Sequence, residues 1–412
     1  MKDHELADVL ARASDHVVAP DLAGTAWAAA ERRRRGRRAG LACIAASLVL
    51  VGGAVALHVG DRNERVGPAE TPSPVPSTSS DPVDSDDATQ PVWDPFTLTE
   101  APMRASVLPT DLDPPTIAPS IQEQPLPDIV VAWPEEGADL RVLGSDQQWR
   151  SVPGTADAIS RSLRDVVDPA ISPDGARVAM STDAGILVVE ANGGRSVISW
   201  PPALEGPFDT RPRLLWLPGD EGFVVLHWKR PWLVDLDGKG APAPFGGMYG
   251  GGVMVDPDTG TVRDRAEAYG ALRTWNDHDD ASSVILGGYG ERFVTRFGLV
   301  AYTGNPGSGG FGVPRSGPVV VDPASGEVLA FAPIRDRNSV YSDNGHLTAL
   351  GFLDEATVLL MVRPMDFRTM EPEEGVSHLV AWTYETGEFE VLSRGDRDLR
   401  LAAFAPALIG NR

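Results

Sequence analysis

The chain has 412 residues, a net charge of −22 and a single cysteine, Cys43. This length suits one large domain or two modest ones, and the acidic charge argues against nucleic acid as a partner because phosphates would be repelled. One cysteine excludes a disulfide within the chain, so a folded domain has to be stabilised by its hydrophobic core.

Residues 1–38 differ in charge from the rest of the chain. They carry eight basic and six acidic residues, which leaves 28 basic and 52 acidic residues, a net of −24, for the remainder. Apolar residues recur at three- and four-residue spacing up to Val17, and Pro20 interrupts the pattern, so the segment is predicted to be a helical cytoplasmic tail.

Residues 1–31 resemble the short inner tails of bacterial single-span proteins that work with sigma factors, although they lack a zinc-binding His/Cys pattern. This resemblance implies a cytoplasmic protein partner; the alternative is a juxtamembrane helix without a partner.

Residues 39–59 form the predicted membrane anchor. Six arginines within 32–38 are followed by 21 residues without a formal charge. A helix of that length spans about 31 Å, which matches the hydrocarbon core of a bilayer, and arginines beside a span favour the cytoplasmic side. The sequence therefore predicts a single-pass protein with a cytoplasmic N-terminus, lipid contact through 39–59 and an extracytoplasmic C-terminal domain. The alternatives are a signal peptide cleaved at residues 54–56 (AVA) and lipidation of Cys43, which Gly40 at the lipobox position disfavours.

Residues 60–92 are rich in Pro, Ser, Thr and Asp and contain few large apolar residues, which predicts a disordered linker. An extended proline-rich chain rises about 3.1 Å per residue, so this linker can span on the order of 100 Å. Large apolar residues return from Trp93 onward, among many prolines. We expect residues 93–127 to form an irregular but ordered lead-in that lies against the domain at 128–412.

Residues 128–412 have a β pattern throughout. Short runs of apolar β-formers lead into an Asp, Asn or Thr followed by Gly and then restart, which is typical of hairpins because Gly or Asn accommodates a positive φ angle. The predicted hairpins are Ile186–Ser196, Trp232–Ala241, Val253–Val262, Val319–Val328, Leu379–Glu388 and, more weakly, Leu140–Val152. The complementary strand–turn–strand halves are Pro169–Ser181, Leu214–Leu226 and Leu347–Met361. One half and one hairpin make a four-stranded sheet, and we place the hairpins in the second half of each unit.

The string Ser172-Pro173-Asp174-Gly175 resembles the signature of WD40-like repeats in TolB-type β-propellers. This resemblance implies an all-β fold, and 93–412 is predicted to be an extracytoplasmic propeller of about six blades, with seven left open. The first blade, Ile129–Val152, has only three predicted strands, so we expect Leu399–Phe404 to supply its fourth and close the ring.

No motif in the chain identifies a reaction. A nucleophile elbow and a phosphate-binding loop are both missing from the sequence. Asp256–Thr261 and Ser181–Leu187 partly match a phosphorylation loop and a sialidase Asp-box, and we interpret the first as a turn. Asn276–Asp280 (NDHDD) has oxygen ligands that suit Ca²⁺ but lacks the rest of an EF-hand, so a solvated loop is favoured. The sequence predicts no catalytic, cofactor-binding or metal-binding residues.

Aromatic residues offer a second possibility, recognition of a sugar or a peptide. Trp216, Trp228, Trp232 and Trp275 are expected to pack between blades. The glycine-rich loops 246–252 and 304–312 carry Tyr249 and Phe311, and such loops commonly form binding sites.

The leading hypothesis is a membrane-anchored, non-catalytic propeller that binds a protein or glycan outside the cell. The alternatives are an extracytoplasmic hydrolase or lyase built on the propeller, and a membrane regulator of a sigma factor that acts through residues 1–31.

Overall fold

The computed structural model describes residues 93–410, with gaps at 100, 136, 158, 160–168, 205–210, 228–229, 246–251, 266–270, 277–279, 286–287, 307–315, 335–345, 364, 367–370, 373–376, 398 and 400–401. The predicted tail, anchor and linker, residues 1–92, lie outside the described residues. No helix within the described part of the chain is long and apolar enough to cross a membrane.

The described strands form a β-propeller of six four-stranded antiparallel sheets, the blades. Blade 1 contains β1 (Val131–Trp133), β2 (Leu140–Leu143) and β3 (Trp149–Val152). Blade 2 contains β4 (Ala170–Ile171), β5 (Arg177–Ser181), β6 (Gly185–Glu190) and β7 (Arg195–Ser199). Blade 3 contains β8 (Arg213–Trp216), β9 (Phe223–His227), β10 (Arg230–Val234) and β11 (Gly240–Pro242).

The second half of the ring follows the same order. Blade 4 contains β12 (Val253–Val255), β13 (Val262–Arg265), β14 (Ala271–Asn276) and β15 (Asp280–Ile285). Blade 5 contains β16 (Gly288–Arg296), β17 (Leu299–Asn305), β18 (Gly317–Val321) and β19 (Val328–Phe331). Blade 6 contains β20 (Leu347–Asp354), β21 (Thr357–Val362), β24 (Ser377–Thr383) and β25 (Glu388–Gly395), and β22 (Met365–Asp366) and β23 (Glu371–Pro372) form a separate ribbon. The last strand, β26 (Ala403–Phe404), precedes the helix α1 (Pro406–Gly410); short 3-10 helices span Pro95–Thr99, Pro202–Leu204 and Pro218–Asp220.

The chain ends close the ring in blade 1, as predicted. β26 pairs antiparallel with β1, with Phe404 opposite Val131 and Ala403 opposite Ala132. The closing strand is only two residues long, shorter than the predicted Leu399–Phe404. The strand starts later than predicted because the amide of Ala402 bonds back to the oxygen of Leu399 in a turn. It ends at Phe404, as predicted, before Pro406, which lacks an amide hydrogen and is well tolerated in the first turn of a helix.

Each blade runs from an inner to an outer strand, so its turns lie alternately on two faces of the ring. Turns between the first and second strands, and between the third and fourth, share the face that we call the short-turn face. The other connections lie on the opposite, long-loop face. We predicted that the hairpins lie in the second half of each unit, and for Val253–Val262 this is wrong. This hairpin joins β12 to β13 in the first half of blade 4. Tight glycine turns occur at both places, and the sequence does not distinguish them.

Hydrophobic clusters between neighbouring blades form the core. One cluster joins blades 2 and 3 around Ile186, Trp216 and Phe223, and another joins blades 5 and 6 around Val320 and Trp382. These side chains are at least nine-tenths buried. Both faces of a blade are covered, which explains why apolar β-formers run almost continuously along the central strands.

Residues 93–127, the strap, lie along the outer strands of consecutive blades. Isolated parallel bridges join Trp93 to Ile334, Met103 to Val391, Asp111 to Arg394 and Ser120 to Ser151. The Trp93 ring also stacks on Phe389 at 4.2 Å between ring centroids. Outer strands carry unpaired backbone groups, so the strap protects the edges of blades 5, 6 and 1 from pairing with other chains.

Candidate functional site

A central cavity of about 290 Å³ lies on the axis of the propeller. The innermost strand of every blade contributes to its wall, namely β26, β4, β8, β12, β16 and β20. Its shape is set by backbone that is hydrogen-bonded into six sheets. Concave sites of this kind, largely apolar and formed before a ligand arrives, are the usual places where proteins bind small groups.

Five half-buried apolar side chains from five different blades surround the cavity, and we call them the apolar collar. They are Ile171, Leu215, Met254, Leu350 and Phe404. The inner strands lie deep in the molecule, so the surface that these side chains leave exposed faces the cavity. Each side chain also packs against a hydrophobic cluster between blades, which holds its position.

An ion pair lies where the cavity meets the short-turn face. Arg296 binds Asp258 through two contacts, Nε to Oδ2 at 2.9 Å and Nη2 to Oδ1 at 3.2 Å. The Nη1 atom of Arg296 donates to the backbone oxygen of Phe352 at 3.3 Å. This one guanidinium therefore connects blades 4, 5 and 6 at the cavity mouth.

The remaining polar groups of the wall are few. Arg213 lies near the long-loop end, with Nη2 at 3.8 Å from the sulfur of Met254, and Ser172, Thr295 and Thr348 add hydroxyl groups. Among the described residues of the wall, Asp258 carries the single carboxylate, and none is His, Lys or Cys. General acid–base chemistry of the glycosidase kind uses two carboxylates, and this wall offers one that is already paired.

The C-terminal segment forms part of the same wall. Residues 402–407 line the cavity, so the strand that closes the ring also borders the candidate site. Pro406 packs so closely over Gly351 that a Cβ atom there would overlap its ring. Ile409 of α1 is buried in the cluster between blades 6 and 1, which fixes the end of the chain against the cavity mouth.

The short-turn face around the cavity mouth is strongly acidic. Its described turns, with the strand-terminal residues that border them, carry thirteen exposed or half-buried carboxylates and four cations, a net of −9. The carboxylates belong to Asp146, Asp174, Glu190, Glu221, Asp235, Asp237, Asp258, Asp322, Glu327, Asp354, Glu355, Glu385 and Glu388. The cations are Arg177, Arg195, Lys239 and Arg296.

The long-loop face differs from the short-turn face in charge. Counted in the same way, and without the strap, whose Asp113 also reaches this face, its described turns and strand-terminal residues carry five carboxylates and six cations, a net of +1. The carboxylates belong to Glu135, Asp139, Asp157, Asp183 and Asp396, and the cations are Arg211, Arg213, Arg230, Arg265, Arg363 and Arg397. Among the described turns and strand-terminal residues, the negative charge is therefore concentrated on one face.

Two buried carboxylates in blade 4 pair with arginines of the same blade. Asp264 is fully buried and accepts hydrogen bonds from Arg273 Nε at 3.0 Å and Trp275 Nε1 at 2.8 Å. Burial raises the pKa of Asp264, while the bonds from Arg273 and Trp275 oppose that rise. Asp256 faces Arg263 with 3.9 Å between Oδ2 and Nη1. Neither pair lines the cavity.

A buried imidazole lies in blade 6, away from the cavity. His378 is 1% exposed, and neither of its ring nitrogens has a hydrogen-bond partner. Burial, together with the neighbouring charge of Arg394, lowers the pKa of His378 to about 4. The ring is therefore neutral at physiological pH, and it does not line the candidate site.

The structure places the predicted motifs in turns, and only parts of two of them line the cavity. Ser172 and Pro173 of the WD40-like signature are one such part. Asp256–Thr261 is the turn between β12 and β13, where Asp256 Oδ1 accepts the amides of Asp258 and Thr259. Its residues Pro257 and Asp258 do border the cavity. Ser181–Leu187 spans the connection from β5 to β6 on the long-loop face, where Thr182 and Gly185 bond to each other.

Of the NDHDD segment, Asn276 and Asp280 end β14 and begin β15, and residues 277–279 lie outside the described part. No group of three or more metal-ligating side chains occurs among the described residues.

The predicted aromatic residues are divided between described and undescribed parts. Trp216, Trp232 and Trp275 contact the clusters between blades, as predicted. Trp228, Tyr249 and Phe311 lie outside the described residues, as do residues 1–31 and, of the two glycine-rich loops, residues 246–251 and 307–312. Sequence reasoning missed the apolar collar, because its members look like ordinary core residues in the sequence. The one available signal was Ser172–Gly175, which marks the end of an inner strand at the cavity.

No protein-family model matches the chain, and no curated protein matches it. Among solved structures, it is similar to TolB from Acinetobacter baumannii, with 17% identity, a TM-score of 0.39 and coverage of 65% of this chain and 66% of that one. A putative TolB from Agrobacterium tumefaciens gives 12% identity and a TM-score of 0.40, with 65% and 89% coverage. A gluconolactonase from Xanthomonas campestris gives 14% identity and a TM-score of 0.34, with 63% and 95% coverage.

Proposed function

We propose that this chain is a non-catalytic binding protein that takes an apolar group of a partner protein into the central cavity of its propeller. The observation that carries the proposal is the apolar collar. Five blades direct half-buried apolar side chains at one concave space, where a partner's side chain would lose its contact with water. Burial of one leucine or phenylalanine side chain in such a place contributes about 1.5–3 kcal/mol to binding.

The polar groups of the wall support binding rather than catalysis. Asp258 and Arg296 satisfy each other, and their pair lies at the mouth rather than among the collar residues. The described wall offers Arg213 to orient a ligand, without a second carboxylate or an imidazole to exchange protons.

We further propose that residues 39–59 anchor the protein in the cell membrane and hold the propeller outside the cell. The support is the uncharged run of 21 residues behind six arginines, together with the proline-rich segment 60–92 that would separate the domain from the bilayer. A reporter enzyme that is active only outside the cytoplasm, fused after Arg412, should be active. Inactivity with normal expression would contradict this orientation.

Site-specific photocrosslinking tests the binding site. The full chain is expressed in its native cells with a photoreactive phenylalanine analogue at Met254, which lines the cavity. The matched control carries the analogue at Val197, an exposed residue of the outer strand of blade 2. We expect a discrete crosslinked product from Met254 that the control does not give. Equal products from both positions, or none from Met254, would contradict the proposal.

A further inference from the structure

The mouth of the cavity and the charge of the short-turn face together define the chemistry of the partner. We propose that this face docks a segment of another protein that carries lysine or arginine on both sides of an apolar side chain. The apolar side chain enters the collar, and the flanking cations meet the carboxylates around the mouth. This inference rests on the proposed function and adds the charge of the partner to it.

Charge complementarity is the first support. The described short-turn face has a net charge of −9, whereas the described long-loop face has a net of +1. A ligand that approaches the mouth from the short-turn side therefore meets a negative field that attracts cations and repels anions. Complementary charge of this kind increases the rate of association and rejects partners of the wrong sign.

The position of the carboxylates is the second support. The turns between the first and second strands are those closest to the axis, and they carry Asp174, Glu221, Asp258, Asp354 and Glu355. Blades 2, 3, 4 and 6 each contribute at least one of these groups. Because they stand on different sides of the mouth, they can meet cations on both sides of one inserted side chain. Asp258 already pairs with Arg296, and Asp354 lies 4.0 Å from Arg104 of the strap, so the exposed Glu221 and Glu355 are the carboxylates most available to a partner.

The state of the carboxylates is the third support. In blade 5, hydrogen bonds from the Ala324 amide and the Ser325 hydroxyl lower the pKa of Asp322. A carboxyl group held in this way stays ionised down to more acidic pH than usual. The negative charge of Asp322, in the outer turn of blade 5, therefore persists over the whole physiological range.

A peptide selection tests the inference. A phage library of random twelve-residue peptides is selected on the full chain in lipid nanodiscs, after subtraction on empty nanodiscs. The binding of the selected peptides is then measured on the natural chain and on the Leu215→Trp and Met254→Trp variants, each of which makes the cavity smaller. We expect the peptides that depend on the cavity to have a net positive charge around an apolar residue. Raising NaCl from 50 to 500 mM should weaken their binding about ten-fold or more, because salt screens exposed charges.

Two double variants distinguish the effect of carboxylates at the mouth from that of carboxylates elsewhere on the surface. Glu221→Gln with Glu355→Gln removes two carboxylates at the mouth, and Asp157→Asn with Asp396→Asn removes two on the opposite face. We expect the first pair to weaken binding about three-fold at 50 mM NaCl and the second to leave it nearly unchanged.

The outcomes distinguish the two proposals. Peptides that depend on the cavity but are neutral or acidic would overturn the charge inference and leave the proposed function intact. An equal effect of both charge pairs would overturn it as well, because general repulsion would then explain the selection. If no selected peptide loses binding in either cavity-filling variant while both variants unfold as sharply as the natural chain, the proposed function fails, and this inference fails with it.

Discussion

Acidification should destabilise the propeller through His378, and replacing this residue should remove the effect. The ring lies on the side of blade 6 that packs against blade 5, with Arg394 and Val362 opposite it on the neighbouring strands. In the unfolded chain its pKa is about 6.5, whereas in the folded protein it is about 4. The unfolded state therefore binds more protons between these values, and stability falls as the pH decreases from about 6.5 to about 4.

The size of the effect follows from the two pKa values of His378. Each pKa unit corresponds to about 1.4 kcal/mol, so the full loss below pH 4 amounts to about 3 kcal/mol. At pH 5, most of the unfolded imidazoles are protonated and the folded ones are not, which gives a loss of about 2 kcal/mol. At pH 7.5 the group is neutral in both states, and it contributes almost no pH dependence.

His378→Leu is the test, because leucine has a similar volume and cannot take up a proton. Neither ring nitrogen makes a hydrogen bond, so the substitution removes no hydrogen bond and should preserve or raise the free energy of unfolding at pH 7.5. At pH 5 the variant should gain a further 2 kcal/mol or so over the natural chain. Urea unfolding followed by tryptophan fluorescence at pH 7.5, 6 and 5 measures this difference.

Val380→Ala is the matched control, because it weakens the same hydrophobic cluster without changing a titratable group. It should lower stability by a similar amount at every pH. Other groups titrate in both proteins, and their contributions cancel when each variant is compared with the natural chain. If the stability difference between His378→Leu and the natural chain is the same at pH 7.5 and pH 5, the neutral buried imidazole is not the cause.

Three further predictions concern the closure, a turn and a buried carboxylate. Deleting residues 396–412 removes β26 from blade 1, so the cooperative transition in calorimetry should disappear; a truncated protein that melts as sharply would refute closure at this place. Gly185 has φ of +148°, and a Cβ there would overlap the carbonyl oxygen of Ile198, so Gly185→Ala should lower the free energy of unfolding by about 3 kcal/mol or more. A loss below about 1 kcal/mol in urea unfolding would mean that the neighbouring strand moves aside. Asp264→Ala leaves the guanidinium of Arg273 without its carboxylate and should cost about 3 kcal/mol in the same assay, and a neutral result would contradict the structural role of the pair.

The strand pattern of this propeller was readable because turns have local chemistry. The hairpins Ile186–Ser196 and Trp232–Ala241 follow from β-formers on both sides of a glycine that takes a positive φ angle, a requirement of a few neighbouring residues. The hairpin Val253–Val262 was assigned to the wrong half of its blade. Its turn chemistry is the same as that of an outer hairpin, and only the pairing of β13 with β14 distinguishes the two.

The candidate site was not readable from the sequence, for a different physical reason. Ile171 and Leu350 face the cavity because of the way that six blades are arranged around the axis, which is a long-range property. In the sequence they have the same apolar, strand-like context as the fully buried Val178 and Leu360. A sequence pattern indicates that a side chain avoids water. It does not indicate whether that side chain packs against a neighbouring blade or lines the cavity.

The carboxylates of the short-turn face have two different reasons for being there, and only one of these reasons indicates a partner. Asp174, Asp235 and Asp354 each accept a backbone amide two residues further along, so turn formation alone explains why they are aspartates. The charge of Asp174 and Asp354 at the mouth then comes as a consequence of folding, as does that of Asp235 in the outer turn of blade 3. Glu221 and Glu355 are different, because their carboxylates cap no turn and stand exposed beside the mouth. Folding does not require a negative charge at these two positions, so their substitution tests recognition of a partner separately from the stability of the turns.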